Sequence, residues 1–369
     1  MVAVAGTNGK GTVSAALSAI GIAHGRKVGF FSSPHLIDLR ERFRIQGELA
    51  NQDQLLSILA RLNDRYGASP TRPEGMTFFE LTTLAAGVLF AEEQVDLAIL
   101  EVGLGGRLDA VNAYEIDLAV LTTLGLDHQE YLGNSLESIA YEKAGIMREN
   151  RPAVMGPQEK DCAVEFLRVQ ARKRGVSTFV EVPALESEQV RDKHFRTARE
   201  AARLLFREDF REELFHQAKE RMFWPGRLDW RSPPQWPGKI LFDGAHNPDG
   251  VQHLRLYLQA TKEAIGWVIW GAMADKSQKG TREFLRDLGV PVYGALIDNP
   301  RSCTREDLQE VIPENNCAVI GTVPEVLREA QIKGQGAGLV FGSLFLIGAV
   351  MDHLGIVPEE LRTYRTPEL

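Results

Sequence analysis

Hydrophobic and polar positions fall into two long series along this chain, and each series alternates short apolar runs with helical periodicity. Met1–Ala5 is a continuous apolar run of strand length, followed by a glycine-rich turn and a helical pattern of small residues over Thr12–His24. Lys27–Phe31 predicts a second strand, ended by Ser32-Ser33-Pro34. Helices are expected over Gln52–Tyr66 and Phe78–Glu93, with a Pro- and Gly-bearing loop over residues 65–75 between them. Strands Asp96–Val102 and Asp117–Thr123 come next, then a helix over Ser135–Arg148. Weaker strands at Ala153–Met155 and Thr178–Val182 flank a helix over Asp161–Arg174, and Asp192–Arg221 reads as one long helix. The pattern breaks over Phe223–Pro237, which holds several prolines together with Trp224, Trp230 and Trp236.

A second series follows: strands Ile240–Phe242, Trp267–Trp270, Val290–Tyr293, Ala318–Ile320 and Gly338–Phe341. Between and after them lie helices Gly250–Thr261, Thr281–Leu288, Arg305–Val311, Pro324–Lys333 and Leu344–His353. Alternation of this kind implies α/β architecture, with parallel sheets covered by helices on both faces. A chain of 369 residues exceeds what one core organises. The expected division is therefore a domain over residues 1–222, a linker over 223–237 and a smaller domain over 238–369.

Composition narrows the function. Hydrophobic residues make up 44% and charged residues 25%, ordinary for a globular protein. A formal net charge of −8 argues against non-specific binding to nucleic acid or to an anionic membrane. Cys162, Cys303 and Cys317 match no zinc spacing and form no even disulfide set. The opening apolar run is short and lacks a basic leader, and no stretch is long and apolar enough to span a bilayer, so the cytoplasm is the expected compartment.

The segment Gly6-Thr7-Asn8-Gly9-Lys10-Gly11-Thr12 lies between a buried strand and a helix. Glycines let successive N–H groups turn inward around phosphate oxygens, and the helix N-terminus adds partial positive charge. Lys10 can reach the outer phosphates, and the Thr12 hydroxyl can lie near a metal ion. The match to the usual phosphate loop is imperfect, because Val4 stands at the first glycine position and Gly11 separates Lys10 from Thr12. Ligands of open α/β sheets bind beyond the carboxyl ends of the strands. Ser33, Glu101 and His128 all fall at such ends. Singly, each has an ordinary explanation: a turn serine, a solvated carboxylate, a structural histidine. Together beside a phosphate loop they suit a magnesium shell completed by phosphate oxygens and water, the imidazole being the least typical ligand.

Further motifs are spread over nearly the whole chain: Ser-Ser-Pro-His-Leu at 32–36, Arg40-Glu41-Arg42, Thr77-Phe78-Phe79-Glu80, the run from Leu100 to Ala110, Gly125-Leu126-Asp127-His128, Glu142-Lys143-Ala144-Gly145-Ile146, Trp224-Pro225-Gly226-Arg227-Leu228, and Asp243-Gly244-Ala245-His246-Asn247-Pro248. In this order they resemble the folylpolyglutamate synthase/dihydrofolate synthase branch of the Mur ligase superfamily. The resemblance implies a P-loop ATPase domain of Mur-ligase type followed by a smaller Rossmann-like domain that binds glutamate. It implies an amide-forming ligase that uses ATP and two magnesium ions to join L-glutamate to a folate or dihydropteroate carboxylate through an acyl phosphate.

The same resemblance implies residue roles. Gly6, Thr7, Asn8, Gly9, Lys10, Gly11, Thr12, Arg227 and Asp243 would hold ATP. Ser33, Glu101 and His128 would hold metal, and Lys143, carbamylated, would hold the second ion. Lys10, Lys143 and His246 would serve catalysis. Thr77, Phe79, Leu108, Asp109 and Ala110 would line the site of the pterin-bearing substrate. Glu80 and Asp275-Lys276 are weaker candidates. Where the family places an ATP-contacting asparagine, the counterpart here is Thr197, and Ser277 closes the Asp275-Lys276 element. The family also carries a segment ahead of the first strand that helps bind dihydropteroate, so folate extension is the more expected of its two activities. A monomer with small-molecule partners, without nucleic acid or membrane, is the expected state. The alternatives are a Mur-type ligase for a non-folate acid and a nucleotide switch without ligase chemistry.

Overall fold

The computed structural model describes residues 1–67, 74–186, 188–234 and 236–364; the middle of the loop expected over 65–75 lies outside the described residues. The chain forms two compact units. The first comprises Met1–Ser33, Leu39–Phe223 and, among the last described residues, 362–364; the second comprises Pro34–Asp38 and Trp224–Leu361.

In the first unit the strands are β1 (Val2–Ala5), β2 (Val28–Phe31), β3 (Phe43–Ile45), β4 (Glu48–Leu49), β5 (Leu97–Glu101), β6 (Leu118–Leu121), β7 (Ala153–Met155) and β8 (Phe179–Glu181). They form one sheet in the order β4-β3-β2-β5-β1-β6-β7-β8. From β2 to β8 every neighbouring pair is parallel, but β3 and β4 are antiparallel at one edge. The expectation of wholly parallel sheets is corrected there. Strands this short show no alternation, and two-residue connections suit a hairpin. Strand β1 is entirely buried at the centre, as a run without polar positions requires.

The helices of this unit are α1 (Lys10–Ala23), α2 (Gln52–Tyr66), α3 (Phe78–Glu92), α4 (Gln129–Leu132), α5 (Leu136–Lys143), α6 (Asp161–Lys173), α7 (Val190–Phe206) and α8 (Glu212–Arg221). The long helix expected over Asp192–Arg221 is split. Arg207 takes φ 49 and a short 3-10 turn follows at Arg207–Asp209. No glycine or proline marks this break, so the periodicity runs through it. At the end of the unit, Thr363 donates its N–H to Gly47 O and Tyr364 bridges Met222.

The second unit holds β9 (Asp229–Arg231), β10 (Ile240–Asp243), β11 (Ile265–Trp270), β12 (Val292–Leu296), β13 (Cys317–Thr322) and β14 (Ala337–Phe341), in the order β13-β12-β11-β14-β10-β9. All pairs are parallel except β9 with β10. Strand β9 lies inside the stretch 223–237. The unit's core contains Trp267, Phe242, Val340 and Ile347, and Leu36 and Ile37 from the Pro34–Asp38 segment pack against it. Gly348, on the helix Leu344–His353, permits this: a Cβ there would run into the Leu36 carbonyl.

Candidate active site

Parallel register brings the candidate residues to one end of the first sheet. Val4 lies level with Glu101, Ala5 with Leu121 and Phe31 with Leu100. The segments leaving β1, β2, β5 and β6 therefore emerge side by side. They carry Gly6–Thr12, Ser33, the Gly103–Gly106 turn and the loop to His128 respectively.

The phosphate loop is held from several sides. Thr7 donates its N–H to Thr123 O at 2.9 Å, its hydroxyl bonds Gly125 O at 3.0 Å, and Thr122 Oγ1 donates to Asn8 O at 2.8 Å. Gly6 is needed for space, since a Cβ would overlap the Thr122 hydroxyl. Gly9 precedes α1 with φ 86 and no capping side chain. Two lysines converge on one backbone oxygen: Lys10 Nζ donates to Gly6 O at 3.1 Å and to Thr7 O at 3.3 Å, and Lys143 Nζ donates to Gly6 O at 2.8 Å. Lys143 is 5% exposed, so sequence alone would not place it here, buried lysines being rare. It arrives because Gly106 packs against the Glu142 and Lys143 carbonyls, while Arg107 Nε and Nη2 grip Glu142 Oε1 at 3.0 and 2.9 Å.

Ser33 and Glu101 are brought together, the Ser33 N–H donating to Glu101 Oε2 at 3.2 Å. Glu101 is buried, with Arg42 and Arg44 close enough to offset its charge. Burial lowers both guanidinium pKa values, that of Arg44 to about 10, against the pull of Glu41 and Glu101. Arg42 is marked in the sequence only as part of the Arg40-Glu41-Arg42 motif and Arg44 not at all; Arg42 ends the 3-10 turn Leu39–Arg42 and Arg44 lies in β3, and both are buried. His128 follows the β6 loop with φ 52, its N–H donating to Asp127 Oδ1 and its Nε2 lying 3.8 Å from Asp127 Oδ2. Among the described residues no three His, Cys, Asp or Glu side chains form a metal cluster. The donors present, a hydroxyl and a carboxylate beside a phosphate loop, fit a hard divalent cation whose shell is finished by phosphate oxygens and water.

The substrate candidates divide. Thr77 caps α3: its Oγ1 accepts from the Glu80 N–H at 3.2 Å, and Glu80 Oε2 accepts from the Thr77 N–H at 2.8 Å. The Thr77 N–H and hydroxyl, each donating to Glu80 Oε2 at 2.8 Å, hold the Glu80 carboxyl below its usual range. Phe79 packs on Phe31, with ring centres 5.9 Å apart, and covers Gly103. Leu108 is 80% exposed. Asp109 accepts from the N–H groups of Leu104 and Val111, each at 2.9 Å, and so ties the glycine turn to the 3-10 turn opened by Ala110. Burial raises the Asp109 carboxyl pKa, while those N–H groups and Lys10 oppose the shift. Thr197 donates its hydroxyl to Lys193 O at 2.9 Å and is buried against Gly156.

In the second unit Asp243 ends β10. Its carboxylate accepts from the N–H groups of Leu228 at 2.9 Å and Ala245 at 3.0 Å. Burial raises its pKa, opposed first by Arg227. Gly244 leaves room for the Arg227 guanidinium, and His246 Nδ1 meets Gly244 O at 2.7 Å. The motifs at 224–228 and 243–248 thus build one loop pair, joined by Gly244 N–H to Gly226 O at 2.9 Å.

Residues 4–204 match the family model of the Mur ligase middle domain. A curated dihydrofolate synthase/folylpolyglutamate synthase from Haemophilus influenzae is 34% identical over 319 residues, covering 77% of this chain and 71% of the relative. The chain belongs to the dihydrofolate synthase/folylpolyglutamate synthase family. Its fold matches that of Escherichia coli FolC, solved in complex with DHPP and ADP, with a TM-score of 0.83 and 31% identity over 96% of this chain and 88% of that one. A bifunctional folylpolyglutamate synthase/dihydrofolate synthase solved with Mn, AMPPNP and L-glutamate matches with a TM-score of 0.80 and 31% identity, over 96% and 89% of the two chains.

Proposed function

We propose that this protein uses ATP to join L-glutamate to the carboxylate of a folate, with Lys10, Lys143, Ser33 and Glu101 as the centre of the reaction. The observation that carries the reading is the convergence at Gly6 O: a phosphate loop with two lysines on one carbonyl, at the level of a buried carboxylate paired to Ser33. The chemistry needs such a site. The γ-phosphate and the folate carboxylate are both anions and repel each other as they approach.

Gly9 and its neighbours in the loop offer N–H groups to the triphosphate, and Lys10 reaches its outer oxygens. Ser33, Glu101 and His128 would hold a divalent ion, and Lys143, as a carbamate, would hold another. These ions offset phosphate charge and polarise the γ-phosphoryl group when bound. The folate carboxylate takes the phosphoryl group to give an acyl phosphate and ADP. The glutamate amine then attacks the acyl carbon, the amide forms and phosphate leaves. Arg227 and Asp243 are assigned to ATP and His246 to catalysis, the roles that the family resemblance implies for them. Phe79, Leu108, Asp109 and Ala110, with Thr77 at the head of α3, serve the pterin-bearing substrate, and the second unit supplies the glutamate side. The molecule acts as a monomer in the cytoplasm.

Mass spectrometry of a reaction with ATP, magnesium, glutamate and either tetrahydrofolate or dihydropteroate tests this directly. The expected product is heavier than the folate by one glutamyl residue, with one ADP released per amide. Transfer to a UDP-muramoyl peptide but to neither pteridine, or glutamate-independent phosphate release, would overturn it.

A further inference from the structure

We propose that His194 is a positioning residue for the phosphate loop, pressing its imidazole against Gly9 and holding that peptide in the conformation that opens α1 toward a triphosphate. The inference rests on the reading of Gly6–Thr12 as a nucleotide site, and goes beyond it by assigning a residue on a distant helix.

Gly9 has φ 86 and ψ −1, the left-handed region, and closes the N-terminus of α1 without a side-chain cap. The Gly9 carbonyl accepts from the Val13 N–H at 2.9 Å, but no side chain of its own restrains it, and glycine reaches many other conformations at little cost. The space over its Cα is filled from outside. A Cβ there would run into His194 Nε2, and would lie 2.8 Å from Cδ2 and 2.9 Å from Cε1. The ring therefore meets Gly9 through its Nε2 corner.

The placement follows from how α7 is packed. α7 lies along α1, and small residues are buried on both helices, Ala198, Ala201 and Ala202 on one and Ser14, Ala15 and Ser18 on the other, beside larger ones such as Phe195 and Leu17. Small side chains let two helices approach closely, and His194 stands in the second turn of α7. Beside His194, Phe195 is buried with its ring centre 6.3 Å from that of Phe215. Thr197 is buried against Gly156, which follows β7. The second turn of α7 is thus pinned to α8 on one side and to the sheet on the other, and His194 has a fixed base from which to restrain Gly9. A restrained loop need not be ordered by the ligand, so affinity gains from the restraint.

The test measures Mg–AMPPNP binding by calorimetry on the full chain, which needs no ligase turnover. His194→Ala is expected to weaken binding roughly tenfold, a shift of about 1.4 kcal/mol. It should leave the thermal midpoint and the KM for glutamate unchanged, with His194→Gln restoring much of the loss. Gly9→Ala should weaken binding more, because its Cβ collides with the ring. In the double variant that collision is gone, so Gly9→Ala should cost several-fold less than in the parent. Wild-type affinity in His194→Ala, or strictly additive losses across the cycle, would overturn the role of His194. Failure of the parent protein to bind Mg–AMPPNP would instead overturn the nucleotide-site reading, and this inference with it.

Discussion

Replacing Lys143 separates its charge from its packing. Its ammonium lies 2.8 Å from Gly6 O, and that of Lys10 lies 3.1 Å from the same atom. The two cations are therefore within ~6 Å of each other, where at an effective dielectric of ~20 they repel by about 3 kcal/mol. Lys143→Met keeps the length of the chain but loses the charge-assisted hydrogen bond to Gly6 O, worth about 1.5–3 kcal/mol. Gly6 O keeps Lys10 as a donor, so no buried acceptor is orphaned. The loss and the relieved repulsion nearly cancel, and in bicarbonate-free buffer Lys143→Met should unfold in urea within about 1 kcal/mol of the parent. Lys143→Ala, which empties the same space, should be less stable by about 1–3 kcal/mol more. Activity should behave differently. Both variants should lose at least about a hundredfold in turnover, equivalent to ~3 kcal/mol of barrier, and short carboxylic acids should restore part of it only in Lys143→Ala, where there is room for them. Wild-type ADP release by either variant would remove Lys143 from the site. Equal destabilisation of the two would refute the repulsion argument.

Lys10→Ala should lower glutamate-dependent ADP release at least about a hundredfold, with circular dichroism and thermal midpoint close to the parent, since Gly6 O keeps Lys143 as a donor. Thr77→Ala should cost about 1 kcal/mol in urea unfolding through loss of the α3 cap. Because the Glu80 carboxyl sits below its unfolded-state range, its bonds to residue 77 stabilise above that range and are lost as pH falls through the folded value; only the one from the Thr77 hydroxyl is missing in Thr77→Ala, so the gap between parent and variant should narrow, without closing, at acid pH. A gap between them that stays constant into acid would contradict this. Gly338→Ala, on β14, should destabilise by about 1–3 kcal/mol because the added Cβ overlaps the Trp267 ring, and a parallel loss of the Trp267 near-ultraviolet signal should accompany it.

What could be read from the chain depended on how local the signal was. The strand–turn–helix at 1–24 was legible because a buried strand, glycines, a lysine and a helix start are contiguous, and β1 and α1 lie within a few residues of the expected spans. Several helices of the second series, such as Thr281–Leu288, were bounded correctly because turn residues flank them. The short strands β3, β4 and β9 were missed, since strands of two or three residues carry no period. The break at Arg207 has no sequence signal, as an arginine occupies the left-handed conformation that glycine usually marks. Lys143 was recognised only through its motif, because its burial depends on how Gly106 meets α5. His194 had no signal at all: its importance lies in a neighbour many residues earlier, across a helix pair.

The excursion at Pro34–Asp38 has a consequence for dissection of the molecule. The chain leaves the first unit at Pro34, returns at Leu39, leaves again at Trp224 and comes back at Arg362. A single cut at the 223/224 junction therefore yields no autonomous piece. The carboxyl-terminal fragment would lack Leu36 and Ile37 from its own interior, and the amino-terminal one would lose the 362–364 stretch that binds Gly47 and Met222. Gene fusions or recombinants that exchange one half must carry the small inserted loop with it, or graft it separately.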